Sequence, residues 1–552
     1  MKRGDRTLGK RRANWGLGLV LLLTVTLLGS AASPRSIQLS NNEQDVILFG
    51  ADGKRPAFFG DSFGYHLAVG DFDGDGISDL LVGAGTAESQ RNNRGSGVGE
   101  VYLFFGRTDW PEVLDACMQA NCANPGSKVQ GSGSPDVIIF GKELGIGYPD
   151  MLGESVWSGD IDGDGLDDII APASLADGPR NGRRDAGEVY VIFGRPRGEW
   201  PSYIDTLQDE HDITIFGADP DDYLYGGNAG DVDGDGISDL ILRSGAADGP
   251  QNSRVDSGEV YVFFGRSRGQ WEEVYDIKGE AGPKPEVFIF GVDSEDSLGW
   301  EMATADVDGD GIPDMIIAAS GGDGPDGERQ DAGEVYILFG RARPDWGSGP
   351  IDLSLAPSSL TKVAVIYGAC ANDSSKFGLR VSAADVDEDS LGDFLLGFDQ
   401  ANMKGRLFFG RGPWPSTIDL LHTDADINFE WPPGGTYAMM LSGDIDGDEK
   451  VDFVGSEPGV VGVFFYFKHQ AQYPPAPPMP GGGTQVNLAS SFVPPDITIY
   501  EADPGDGLAD AIVSGDINGD GYDDLIISAR KADGPNNRRE DVGEAYVIFG
   551  SQ

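Results

Sequence analysis

The chain has 552 residues, with 40 basic and 91 acidic side chains, and a formal charge of −51. Such a surface repels nucleic-acid phosphates and anionic lipid headgroups, so neither is an expected partner. A hydrophobic fraction of 39% argues against the disorder that high acidity can signal, and three cysteines are too few for a disulfide scaffold.

The N-terminus reads as a processing segment. Lys2, Arg3, Arg6, Lys10, Arg11 and Arg12 precede an apolar run from Trp15 to Gly29, which is short for a membrane span. Ser30, Ala31 and Ala32 follow. This is the pattern of a secretory signal peptide over residues 1–32, which predicts a secreted, extracellular or cell-surface mature chain without a membrane span. Cys117 and Cys122 could close a small disulfide or remain thiols, and Cys370 is expected as a buried small hydrophobe.

From Asp45 onward the chain is built of short apolar runs bounded by glycine, each a strand signal. Asp45–Gly50 is the first, and Phe63–Gly70 leads into an acidic loop. Leu80–Ala84 leaves that loop, and after a polar segment Gly99–Gly106 carries Glu-Val-Tyr in a further strand. Asp136–Gly141 nearly copies the first run, and the cycle restarts. Gly187–Gly194, Gly258–Gly265, Gly333–Gly340 and Gly543–Gly550 repeat the Glu-x-Tyr strand, more loosely echoed at Gly405–Gly410 and Gly462–Phe467. No long 3.6-residue apolar period follows the N-terminal segment, so the class is all-β.

The acidic loop organises the repeat. Asp71, Asp73, Asp75 and Asp79 hold positions 1, 3, 5 and 9, with Gly76 at position 6 and Ile77 at position 7. The frame returns as Asp160, Asp162, Asp164, Leu166 and Asp168, then as Asp231, Asp233, Asp235, Ile237 and Asp239. It returns again as Asp306, Asp308, Asp310, Ile312 and Asp314, and as Asp385, Asp387, Asp389, Leu391 and Asp393. The last two copies are Asp444, Asp446, Asp448, Lys450 and Asp452, and Asp516, Asn518, Asp520, Tyr522 and Asp524. Successive copies start 89, 71, 75, 79, 59 and 72 residues apart.

Seven four-stranded units of this size predict a seven-bladed β-propeller, because radial packing hides sheet faces that one small sheet cannot bury. The units run approximately over 51–141, 142–217, 218–291, 292–368, 369–431, 432–501 and 502–552, and 45–50 is expected to complete the last blade beside Gly543–Gly550. The Pro/Gly-rich stretch 474–483 reads as a long loop inside unit six.

Alternating acids on a curling backbone gather hard oxygens in the manner Ca²⁺ prefers, with the position-7 carbonyl and position-9 Asp closing the site. Up to seven Ca²⁺ sites are expected. Those at 385–393 and 444–452 should be weakest, because Glu388, Ser390 and Glu449 stand where other copies have glycine.

Phe63-Gly64 before the loop and Gly83-Ala84-Gly85 after it match the FG-GAP repeat, and residues 45–550 resemble the propeller head of integrin α subunits. The resemblance implies Asp-rich loops between the first and second strands on the lower face. It also implies Ca²⁺ binding, cell adhesion, and recognition of protein or matrix on the upper face. Seven loops instead of a few, with no leg domains, span or cytoplasmic tail, make the chain more similar to a secreted bacterial FG-GAP protein, expected as a monomer.

A second motif, Ala-Asp-Gly-Pro, begins at Ala176, Ala247 and Ala532, with a variant at Gly322–Pro325, each followed by Arg and Asp. It lies between second and third strands, on the face opposite the acidic loops, and reads as a structural turn or as a ring that binds a partner or glycan. His66, His211, His422 and His469 form no catalytic motif, and His66 is expected to be buried. Trp110, Trp200, Trp271, Trp346 and Trp414 recur after the Glu-x-Tyr strands, which fits packing between blades better than sugar stacking. The expected function is adhesion or interaction with an extracellular protein or polysaccharide, with calcium chiefly structural and no enzymatic activity. The alternatives are a lectin or a Ca²⁺-dependent polysaccharide-active enzyme of the lyase type, or a phospholipase-associated propeller.

Overall fold

A computed structural model describes residues 35–51, 60–88, 97–117, 132–142, 149–355, 362–370, 380–399, 404–430, 438–457, 459–465, 484–487, 495–535 and 537–551. The expected leader at 1–32, Cys122, His469 and the stretch 474–483 lie outside them. The described chain folds into seven β-sheets, interrupted only by short 3₁₀ turns. This is a seven-bladed β-propeller.

Each blade runs from an inner first strand to an outer fourth strand, all antiparallel. Blade one is Leu67–Gly70, Asp79–Ala84, Glu100–Phe104 and Val137–Phe140. Blades two to six begin at Trp157–Gly159, Tyr225–Gly230, Leu298–Ala305, Val381–Ala384 and Ala438–Leu441. Blade seven is Leu508–Gly515, Asp524–Ala529 and Glu544–Ile548, with Val46–Phe49 paired antiparallel to Glu544–Val547 as its outer strand.

The sheets have five strands, not the four expected from the sequence. The connection between the third and fourth strands of one blade first adds a short parallel strand to the outer edge of the preceding blade. Tyr203–Asp205 thus pairs with Ile138–Phe140 of blade one, and Val274–Asp276 with Thr214–Phe216 of blade two. Blade seven receives Val113–Asp115, and blade six receives Arg35–Gln38. Residues 35–49 therefore supply two strands to two different blades. These parallel strands span only two to four residues, too few to show periodicity in the sequence.

The apolar residues collect in seven cores, one at each blade junction. Leu81, Val101 and Leu103 of blade one meet Ile169, Ala171 and Tyr190 of blade two. At the junction of blades seven and one, Val46, Leu48, Ile526 and Val547 pack on Leu80, Val82 and Tyr102. Close approach at these junctions explains the repeat's glycines. A Cβ on Gly83 would lie 2.1 Å from the Gly153 carbonyl of the next blade. The amide of Gly64, at φ 83°, donates to the Gly83 carbonyl at 3.0 Å, so the two halves of the motif touch.

Candidate metal centres in the acidic loops

Every acidic loop joins the first and second strands of its blade. In blade one the Asp71 carboxylate caps the turn, with Oδ1 accepting from the Gly74 amide at 2.7 Å and Oδ2 from the Gly76 amide at 3.0 Å. Asp73 Oδ1 accepts from the Asp75 amide at 3.1 Å, and Asp75 Oδ1 from the Ile77 amide at 3.0 Å. Asp79 is fully buried and accepts from the amides of Phe72 at 2.9 Å and Gly106 at 2.7 Å, which ties the loop to the end of the third strand. Positions 4 and 6 both take positive φ, 77° at Gly74 and 84° at Gly76. In blade five Glu388 and Ser390 adopt the same region, at 63° and 70°, and in blade six Glu449 does so at 65°. Positions 4 and 6 thus carry the same backbone constraint, at the places where Glu388, Ser390 and Glu449 replace glycine.

The structure brings positions 1, 3 and 9 together. One oxygen each from Asp71, Asp73 and Asp79 lies within 4.8 Å of the others, as in the sets Asp160/Asp162/Asp168, Asp231/Asp233/Asp239, Asp306/Asp308/Asp314 and Asp385/Asp387/Asp393. The position-5 carboxylates stand outside these clusters. In blade seven Asn518 Nδ2 donates to Asp524 Oδ1 at 3.1 Å, and its Oδ1 accepts from the Asp520 amide at 2.9 Å. An amide there removes one negative charge from the cluster.

Burial pushes the position-9 carboxyls far up. Asp79, Asp168, Asp239 and Asp452 rise to about 8, and Asp314, Asp393 and Asp524 to about 7. Amide donors oppose the shift and neighbouring aspartates reinforce it. The donor set is all hard oxygen, and Asp73 Oδ2 and Asp162 Oδ2 are buried and accept no well-aligned hydrogen bond, each facing an arginine Nε of the next blade at 3.3 and 3.4 Å. This chemistry fits a hard divalent cation.

The loops also touch one another. The position-8 amide of one loop donates to the position-1 carbonyl of the preceding loop, as Asp167 to Asp71 at 3.0 Å, Ser238 to Asp160 at 3.1 Å and Asp523 to Asp444 at 3.0 Å. The position-7 side chain lies over position 4 of the preceding loop, so a Cβ on Gly74 would sit 2.5 Å from Leu166 Cδ2.

The next blade reaches the same loops with arginine and tryptophan. Arg197 Nε is 3.3 Å from Asp73 Oδ2 and its Nη1 2.8 Å from Asp75 Oδ2. Arg268 holds Asp162 and Asp164 at 3.4 and 3.7 Å, and Arg343 holds Asp233 and Asp235 at 2.7 and 3.3 Å. The indoles of Trp110, Trp200, Trp271 and Trp414 donate to the position-2 carbonyls of Ile517, Phe72, Ile161 and Val307 at 2.7 to 3.3 Å. Arg195, Arg266 and Arg341 stack over Trp200, Trp271 and Trp346 at 4.9, 4.7 and 4.4 Å. These rings are engaged between blades, not displayed for stacking on sugar. The repeated Arg-x-Arg-x-x-Trp spacing was the available signal for this contact.

On the opposite face the Asp-Gly-Pro turns are structural. The motif aspartates Asp177, Asp248, Asp323 and Asp533 accept from amides eight residues on, at 2.8 to 3.0 Å. Their arginines pair with the aspartate ending each blade's fifth strand. Arg183 grips Asp276 at 2.7 and 2.6 Å, Arg254 grips Asp352 at 2.9 and 2.8 Å, and Arg539 grips Asp115 at 2.8 and 2.7 Å.

The inner strands enclose a cavity of roughly 530 Å³ lined by Tyr65, His66, Trp157, Glu301, Arg380 and Arg530 among others. Its charges are paired, Arg380 with Glu301 at 3.4 Å and Arg530 with Asp510 at 3.1 Å. Burial, then Arg380 and Arg243, push His66 down to about 4, and burial does the same to His211. Cys117 is disulfide-bonded, and Cys370 is half-buried instead of buried.

Fold and loops together define a β-propeller with acidic inter-strand loops. The FG-GAP repeat pattern matches residues 63–104, 152–192, 224–263, 298–338 and 508–548, in blades one to four and seven, so this is an FG-GAP repeat protein. It is similar to integrin alpha-PS2 of Drosophila melanogaster, 28% identical over 265 residues, covering 47% of this chain and 15% of that protein. It is similar to integrin alpha-IIb of Homo sapiens, 26% identical over 58% of this chain and 25% of that protein. It is also similar to the phosphatidylinositol-glycan-specific phospholipase D of Bos taurus, 31% identical over 30% of this chain and 18% of that protein. The chain thus spans a quarter or less of these relatives. No helix among the described residues is long and apolar enough to cross a membrane.

Proposed function

We propose that the protein is a secreted, calcium-stabilised adhesion or interaction module that binds an extracellular protein or polysaccharide, with calcium chiefly structural. The observation that carries this reading is the joining of acidic loops across blade junctions, as by the 3.0 Å bond from the Asp167 amide to the Asp71 carbonyl. A cation on the carboxylates of Asp71, Asp73 and Asp79, and on their counterparts, neutralises repulsion where neighbouring blades meet. When bound it supplies a fixed positive charge and no chemistry beyond that. At ~1 mM calcium and Kd ~0.1 mM, each site adds ~1.4 kcal/mol to the folded state. The loops of blades five and six, strained at Glu388, Ser390 and Glu449, bind most weakly.

The similarity to a phospholipase D supports a second reading, a propeller that presents substrate to an enzymatic activity. Capture on immobilised full-length protein, with calcium and with chelator, tests both. Calcium-dependent retention of an unaltered extracellular protein or polysaccharide supports the adhesion reading, and retention followed by cleavage moves the assignment to an enzyme. No retention by a protein that melts cooperatively in calcium would sink both.

A further inference from the structure

The repeat writes the same residues wherever each blade meets the same packing demand, as in the acidic loops and the Glu-x-Tyr strands. Beside the space enclosed by the inner strands it does not. Five residues before the first aspartate of each acidic loop, blades one, four and five carry His66, Glu301 and Arg380, and the other blades carry serine, glycine, methionine and alanine. These three side chains line the cavity of roughly 530 Å³, together with Tyr65, Trp157 and Arg530. A position released from the repeat, and facing a space that all blades share, is free to serve one asymmetric ligand.

The lining is polar, and its charges balance. Arg380 pairs with Glu301 at 3.4 Å, and Arg530 with Asp510 at 3.1 Å. In the second pair Arg530 Nε and Asp510 Oδ2 are buried and make no well-aligned hydrogen bond. Burial and the charges of Arg380 and Arg243 push His66 down to about 4, so its ring is neutral at pH 7. Arg243, in the strand Asp239–Ser244, donates through Nε to the Gly226 carbonyl at 3.2 Å, and its Nη groups meet no acceptor among the described residues. Aromatic surface lies alongside. Trp157 is half-buried with its ring 4.8 Å from that of His66, and Tyr65 lies under Arg530 at 4.8 Å. The Tyr65 hydroxyl donates to Glu154 at 3.4 Å.

Paired arginines and carboxylates set donors and acceptors side by side, which suits a hydroxyl because it both donates and accepts. An aromatic ring next to them offers an apolar face to a sugar ring. The volume falls within the range of about 300–1,000 Å³ that small-molecule sites occupy, and it is too small for a folded partner. A balanced lining gives a charged ligand no advantage, and the field of a chain with a formal charge of −51 repels a polyanion. We infer that the central cavity is a saccharide site, built on Trp157, Glu301, Arg380 and Arg530, that takes the end of a neutral glycan. The inference rests on the adhesion reading proposed above and gives that reading a ligand class and a place. It moves glycan recognition away from the tryptophans engaged between blades.

The test uses the full-length chain in calcium chloride, with cooperative melting as the check on folding. Saturation-transfer NMR screens neutral oligosaccharides of glucose, galactose, mannose and N-acetylglucosamine beside oligogalacturonate, and calorimetry gives the Kd of a neutral ligand so found. Trp157→Ala removes the ring, and Glu301→Gln and Arg380→Gln each remove a charge while keeping a polar side chain. Each substitution is expected to weaken binding of the neutral oligosaccharide tenfold or more. Should Trp157→Ala fail to melt cooperatively, Arg380→Gln serves, because the Arg380 side chain is 45% exposed. Binding of oligogalacturonate alone would overturn the inference, and so would a neutral ligand whose affinity all three substitutions leave unchanged. If no oligosaccharide binds while an extracellular protein or polysaccharide is retained in the capture experiment, the inference falls and the adhesion reading stands. If nothing binds in either experiment, both fall.

Discussion

Lys450, at position 7 of the sixth acidic loop, forms an ion pair with Glu388, at position 4 of the fifth. At the other junctions the corresponding contact is an apolar or aromatic side chain over a glycine. Leu166 lies over Gly74, Ile237 over Gly163, Ile312 over Gly234, Leu391 over Gly309, Tyr522 over Gly447 and Ile77 over Gly519. The two exceptions in the sequence, a charged residue at position 7 and a charged residue at position 4, thus meet each other. Geometry is conserved around the ring and the chemistry of one contact is exchanged.

That exchange predicts coupling between the two positions. Lys450→Ile alone leaves Glu388 facing an apolar chain, and Glu388→Gly alone leaves the ammonium facing a glycine. The pair is partly exposed, so a double-mutant cycle should return about 0.5–1 kcal/mol of interaction. The double variant restores the common pattern and relieves the 63° φ at residue 388, so it should be as stable as wild type. Urea unfolding of the four proteins in calcium measures this. Additive single effects would remove the contact's significance.

Arg183 and Arg539 pin the fifth strand to the Asp-Gly-Pro turn in blades two and seven. Both are nearly buried against aspartates with no exposed side-chain surface, Asp276 and Asp115. Removing the arginine leaves a carboxylate inside the protein without its counter-ion, which costs about 3–5 kcal/mol. Arg183→Ala and Arg539→Ala should each lower the unfolding free energy from urea titration by that measure, and Arg184→Ala, at an exposed neighbour, should leave it essentially unchanged. Equal small effects at all three positions would show that the buried pairs do not hold the turn.

Residues 35–49 close the ring twice over. Deleting them strips the outer strand from blade seven and the parallel fifth strand from blade six, and exposes the core facing Ile47 and Phe49. The shortened chain should lose cooperative melting and become sensitive to limited proteolysis between 495 and 551. A synthetic peptide of residues 34–51 should restore protection in trans. A deletion variant that still melts cooperatively within a few degrees of wild type would show that the ring closes without this segment.

The fold was legible because its period is written in residues with fixed backbone demands. Phe63-Gly64, Gly83 and the glycines of the acidic loop mark places where φ is positive or another blade approaches closely, and such residues cannot drift. The fifth strands were not legible. Val113–Asp115 and its counterparts are edge strands whose identity comes from pairing with a neighbouring blade, and a short run such as Tyr-Ile-Asp carries no pattern of its own. In the acidic loops, positions 1, 3 and 9 converge as their spacing suggests. The arginine between positions 3 and 5 comes from more than a hundred residues away, as Arg197 does to Asp73, and no local reading reaches it. The Arg-x-Arg-x-x-Trp spacing held that information without naming its target.

The Glu-x-Tyr strands make stability depend on pH. The Glu334 carboxylate accepts from the Tyr336 hydroxyl inside the blade, and Glu259 and Glu544 do the same with Tyr261 and Tyr546. Burial pushes all three glutamates up to about 7, against which the tyrosine hydroxyl works. A carboxyl whose folded pKa lies above its unfolded value stabilises the protein fully below about 4.5, and that contribution is lost as pH rises through 7. Glu334→Gln is neutral throughout and its side-chain oxygen can still accept from Tyr336. The variant should match wild type within about 1 kcal/mol at pH 5 and exceed it by about 2 kcal/mol at pH 8. Carboxylates of the acidic loops ionise alike in both proteins and cancel in the difference. Urea unfolding at pH 5, 6, 7 and 8 in saturating calcium gives the two curves, and parallel curves would mean that Glu334 is already ionised in the folded blade at pH 5.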